Sequence, residues 1–129
     1  MSDTQKEAVI YARSATRATN DPGDSIAAQE RACRDAAEAD GYKVVAVFAE
    51  HAGGHSADRP GLRAMLAFLD TRGERKPAVF VENIHCLARN VDVVYKLQKE
   101  IAGHGGTLHT VEMCVVRRKK RISIELERD

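Results

Sequence analysis

Apolar and polar positions fall into blocks along the chain. Residues 8–12, Ala-Val-Ile-Tyr-Ala, form a short continuous apolar run that leads straight into Arg13, Ser14 and Thr16. A run of this kind reads as a buried strand that delivers polar groups to the rim of a sheet. Tyr42 to Ala49, Pro77 to Val81 and Thr107 to Val111 repeat the pattern and predict three more strands. The stretches between them have helical spacing. Ile26, Cys33 and Ala37 share one face of an alanine-rich segment that Asp24 or Ser25 caps, that runs to about Asp40, and that Gly41 stops. Pro60, preceded by Asp58 or Arg59, opens a second helix with Leu62, Met65, Leu66 and Leu69 as its buried stripe. Val94, Leu97 and Ile101 mark a third over Val91 to Ala102, closed by Gly103, Gly105 and Gly106. Thr19 to Asp24 and Thr71 to Lys76 read as turns.

Strands alternating with helices predict an α/β fold, a three-layer sandwich with a mainly parallel sheet of four or five strands and helices on both faces. The candidate fifth strand is Ile122 to Leu126, where Ile-Ser-Ile-Glu-Leu alternates as an edge strand does, while its basic lead-in equally suits a loose tail. The expected layout is a disordered N-terminus over residues 1–7, one domain over 8–112, and a basic C-terminal segment over 113–129. No helix-turn-helix pattern fits after Val111, so no separate DNA-binding domain is expected. In parallel sheets functional residues lie beyond the carboxyl ends of the strands. That directs attention to Arg13–Thr19, Glu50–Arg59, Asn83–Asn90 and the segment after Val111.

Composition narrows the class. With 129 residues and 43% hydrophobic positions, the chain supports one core. No apolar run reaches the roughly 20 residues of a membrane span, and the N-terminus lacks the pattern of a secretory signal. Three scattered cysteines, Cys33, Cys86 and Cys114, suit a reducing cytoplasm. Net charge is +1, so nothing global argues for nucleic acid. The local exception is Arg117-Arg118-Lys119-Lys120-Arg121, a run suited to a DNA backbone or to solvent.

Arg13, Arg59 and Arg89 come from three different strand-end loops. Guanidinium groups converging on one spot suit a phosphate, and Gln29 and Glu50 are placed to orient them. His51, His55, His85 and Cys86 supply a zinc-type inventory of donors, but H-x-x-x-H in a glycine-rich loop is too weak to assign a metal. No cofactor is assigned. His85 and Cys86 are sequence neighbours whose side chains diverge, which disfavours a thiol dyad.

Several of these pieces occur in order and at matching intervals: Tyr11-Ala12-Arg13, Ser25-Ile26-Ala27-Ala28-Gln29, Gly41-Tyr42, Phe48-Ala49-Glu50, Ser56-Ala57-Asp58-Arg59-Pro60-Gly61-Leu62 and Leu87-Ala88-Arg89-Asn90. With them the chain resembles the catalytic domain of serine recombinases, the resolvase/invertase family. The resemblance implies a rim site where a serine attacks a DNA phosphodiester while arginines neutralise the developing charge. It also exposes departures. The family pattern Tyr-x-Arg-x-Ser places the nucleophile at position 15, which is Ala15 here, with Ser14 one residue early. The family's Asp-Arg-Leu-x-Arg reads His85-Cys86-Leu87-Ala88-Arg89, so Cys86 stands where a phosphate arginine is expected. Thr19 stands where a glutamine is usual. In an extended chain Ser14 faces away from Arg13 and Ala15.

The expectation is therefore a non-catalytic, recombinase-like domain: a small cytoplasmic regulator whose partner is an active recombinase, a second copy of itself, or DNA phosphates. Two alternatives stand beside it. One is an active recombinase or nicking enzyme using Ser14 as a displaced nucleophile. The other is a metal- or small-ligand-binding domain on the same fold.

Overall fold

A computed structural model of the protein describes residues 6–14, 26–51, 59–87 and 90–111, without the Cys86 side chain. Strands β1 (Lys6–Ser14), β2 (Tyr42–His51), β3 (Ala78–Val81) and β4 (Thr107–Thr110) form one sheet in the order β2-β1-β3-β4. Every pairing is parallel. Helices α1 (Ile26–Ala39), α2 (Pro60–Arg72) and α3 (Val91–Gly103) fill the connections. Among the described residues the sheet has four strands, and the candidate strand Ile122–Leu126 lies outside them.

The strand order explains the layering. From β1 the chain moves outward to β2, then returns past β1 to β3. Crossovers of one hand made in opposite directions place their helices on opposite faces. Accordingly, Cys33, Ala36 and Ala37 of α1 pack with Ala8, Ile10, Ala78 and Phe80 on one face. Leu62, Met65, Leu66 and Leu69 of α2, with Val94 and Ile101 of α3, pack with Val9, Tyr11, Val79 and Val81 on the other. Alternation along β1 thus separates the two cores. The direction reverses between β1 and β3, and at their carboxyl ends such a sheet opens a crevice.

Boundaries differ from expectation in informative places. Lys6 and Glu7, expected in a disordered N-terminus, are the first residues of β1. Glu7 is buried, and its carboxylate accepts from Arg72 Nε at 2.9 Å and Nη2 at 2.5 Å and from Arg75 Nη1 at 2.7 Å. The strand therefore extends as far as its charge is matched, beyond the apolar run. The Arg72 bonds, partly offset by burial, hold the Glu7 carboxyl below its ordinary value. β2 likewise runs two residues past Ala49, through Glu50 to His51. Gly41 ends the first helix as expected, with a φ of 85° that side chains resist. The loop after β3 holds a 3-10 turn, Ile84–Cys86, capped by Asn83 Oδ1, which accepts from the His85 N–H at 2.9 Å.

Candidate functional site

The rim crevice is built from the ends of β1, β2 and β3. At its centre, the side-chain amide of Gln29 on α1 grips the backbone of Arg13. Gln29 Oε1 accepts from the Arg13 N–H at 3.1 Å, and Gln29 Nε2 donates to the Arg13 carbonyl at 3.0 Å. Both residues are buried. Gln29 therefore holds Arg13 by its main chain. The Arg13 side chain crosses the crevice, and its Nη2 donates to the His85 carbonyl at 2.8 Å.

Arg59 enters from the start of α2. It is 5% exposed, its Nη2 donates to the Leu87 carbonyl, and its guanidinium lies over the Tyr11 ring at 5.9 Å. The Nε–H of Arg59 is buried with no hydrogen-bond partner. An orphaned buried donor costs roughly 1–3 kcal/mol, so this one marks a place for an acceptor. The two arginines thus donate to carbonyls two residues apart in the 84–87 turn. Leu87 is fully buried, which fixes that turn from below. Arg89, the third arginine of the expected set, lies outside the described residues, as do Ala15, Thr19, His55 and Arg117–Arg121. His51 and His85 are exposed at the rim. Among the described residues no group of three His, Cys, Asp or Glu side chains is arranged to hold a metal ion.

Glu50 pairs in register with Arg13 across β1 and β2, and its carboxylate bonds elsewhere. Its Oε2 accepts from the Tyr11 hydroxyl and from the Leu62 N–H at 3.1 Å, and its Oε1 accepts from the Gly61 N–H at 2.8 Å. A carboxylate from β2 therefore caps α2, whose own N-cap residue, Arg59, makes no side-chain cap bond. The carboxylate fits because position 61 is glycine: a Cβ there would lie 2.9 Å from Glu50 Cδ. Burial, and then the bond to Glu50, pushes the Tyr11 phenol far above its ordinary value, so it stays protonated. Tyr11 and Glu50 support Arg59 indirectly, through the ring beneath its guanidinium. Residue spacing missed this relay. The signal available was Tyr11 itself, a hydroxyl in an otherwise apolar strand, which once buried requires an acceptor.

Ser14 ends β1, is 4% exposed, and pairs in register with His51. By alternation it belongs with Ala8 and Ile10 on the α1 side, whereas Arg13 belongs with Val9 and Tyr11.

The structure is a parallel α/β sheet with buried arginines, Arg13 and Arg59, at the carboxyl end of its switch point. A family profile described as "Resolvase, N terminal domain" matches residues 8–122, and the chain belongs to that family as a serine recombinase-like domain. Solved structures agree in fold. The N-terminal catalytic domain of TP901-1 integrase is similar at 20% identity, with a TM-score of 0.73, 95% of this chain and 99% of that one covered. A resolvase family site-specific recombinase from Streptococcus pneumoniae is similar at 19% identity and a TM-score of 0.68, covering 95% and 92%. The C-terminal catalytic domain of ISC1926 TnpA, an IS607-like serine recombinase, is similar at 24% identity and a TM-score of 0.67, covering 90% and 79%. A sequence comparison with curated proteins finds no match.

Proposed function

We propose that this chain is a non-catalytic serine recombinase-like domain, a regulatory or partner-binding protein linked to DNA recombination. The observation that carries the reading is Ala15 at the position where the family pattern after Tyr11 and Arg13 requires a serine. An alanine offers no hydroxyl to attack a phosphodiester. The surrounding frame supports retention of binding without cleavage. Arg13 and Arg59 are buried and positioned, and Arg59 keeps a donor in reserve for an acceptor. The ligand class is the phosphate oxygen, with Arg13, Arg59 and Arg89 as its holders and Arg117–Arg121 as an added backbone contact.

The domain proposed for this role spans residues 8–112, with 113–129 as its basic extension. Partners of the proposed kind are an active recombinase or a second copy of the chain, in the cytoplasm. No helix of the described residues is long and apolar enough to cross a membrane.

The deciding experiment is covalent trapping on recombination-site DNA, comparing the native chain with Ser14→Ala. The expected result is no protein–DNA adduct from either. A Ser14-dependent adduct would overturn the reading and assign the displaced serine as nucleophile.

A further inference from the structure

The 84–87 turn does more than border the arginines. It occupies part of their binding capacity. Arginine grips phosphates and carboxylates most tightly through a two-toothed edge, and the lateral edge is formed by Nε and Nη2. In Arg59 these two groups are in opposite states. Nη2 donates one of its two N–H groups to the Leu87 carbonyl, and Nε is buried with no partner. A backbone carbonyl presents one oxygen and fills one tooth. An anion with two oxygens fills both.

Arg13 makes the same kind of bond two residues earlier in the turn, from Nη2 to the His85 carbonyl. Two bonds, one from the end of β1 and one from the start of α2, therefore hold one short segment over the crevice. The turn itself is slight, closed by Leu87 N–H to Ile84 O at 3.0 Å and by the Asn83 cap. Its outer residue, Ile84, is 40% exposed and forms a wall of a cavity of about 350 Å³ with Val94, Gln98 and Leu108.

We propose that the 84–87 turn is a latch on Arg59, opened by a phosphate-type anion that takes the Nε–Nη2 edge and displaces the Leu87 carbonyl. The inference rests on the anion reading of the site given above and adds its regulation. Arg59 is too buried for an anion to reach while the carbonyl is in place, so binding and release of the turn occur together. Release also removes Ile84 from the cavity wall, which makes the occupied and empty domains differ on the α3–β4 side.

The test uses the full native chain and amide hydrogen exchange read by NMR, at constant ionic strength. It compares chloride, inorganic phosphate, and a DNA duplex lacking terminal phosphates. The Arg59 Nε–H resonance reports occupancy independently of the turn. Expected is a shift of that resonance together with at least threefold faster exchange at His85 and Leu87. A response to phosphate identifies a free anion as sufficient, and a response to duplex alone identifies the diester; either supports the latch. A shifted Nε resonance with unchanged or slower exchange overturns the latch and leaves the anion site standing. No shift with either ligand overturns both. Arg59→Lys, lacking the two-toothed edge, is expected to exchange fast at Leu87 without ligand and to lose the response. The native-chain comparison decides the matter even where that variant does not fold.

Discussion

Gln29 holds the main chain of Arg13 through both ends of one side-chain amide, accepting from its N–H and donating to its carbonyl. This satisfies two backbone groups of the last buried turn of β1 and sets the direction in which the arginine leaves the sheet. Gln29→Ala removes both bonds in a buried place. The expected loss is about 2–4 kcal/mol, at roughly 1–3 kcal/mol per bond removed from a buried group with partial relaxation. Urea unfolding measures it. Gln29→Glu sets a carboxylate oxygen against the Arg13 carbonyl in a buried place and is expected to destabilise the native chain most at high pH, where the carboxyl is ionised.

Tyr11 is bound by its hydroxyl to a carboxylate that also caps α2. Tyr11→Phe removes a bond to a charged acceptor and is expected to cost about 1.5–3 kcal/mol. Because the phenol is held protonated by burial and by Glu50, its phenolate absorbance in an alkaline titration is expected to emerge only as the protein unfolds. A Tyr11 signal appearing in the folded chain at an ordinary tyrosine value contradicts the buried bond.

Glu7 supplies a pH dependence of known sign. Its folded-state value lies below the unfolded one, with Arg72 as the main cause. The associated stability is therefore fully present above the unfolded value and is lost as pH falls through the folded one. Glu7→Gln is expected to lower stability at neutral pH and to flatten its fall in the acid range. Urea midpoints compared at pH 7 and across the acid range provide the check. Equal acid slopes for the two chains count against the linkage.

The basic run Arg117–Arg121 gives a salt prediction for DNA. Each phosphate neutralised contributes about 0.9 to the slope of log affinity against log salt on duplex DNA. Neutralising all five side chains is expected to reduce the slope by up to roughly 4.5, from five such contacts. Binding isotherms at several salt concentrations measure it. An unchanged slope removes this segment from the binding surface.

The fold was legible because apolar runs and helical stripes are dictated by burial, and burial is what sequence pattern records. The four strands and the three helices follow from that. Glu7 was not legible. A charged residue ahead of an apolar run reads as solvated unless its partners, 65 and 68 positions away, are known. Glu50 was legible as a rim carboxylate but not as the cap of α2, because local residues such as Asp58 offer a simpler start to that helix. The carbonyls of His85 and Leu87 carry no side-chain signal at all, so the use of the arginines to hold a turn is visible only in three dimensions.

Gly61 has no chemistry of its own, yet its missing side chain leaves the space in which Glu50 sits. Any side chain at that position presses on the carboxylate, through it on the Tyr11 hydroxyl, and through the ring on the seat of Arg59. Because the atoms met belong chiefly to the far end of a flexible side chain, Gly61→Ala is expected to be milder than the loss of Arg59 itself. A genetic map of this protein would then show an apparently inert glycine among its sensitive sites.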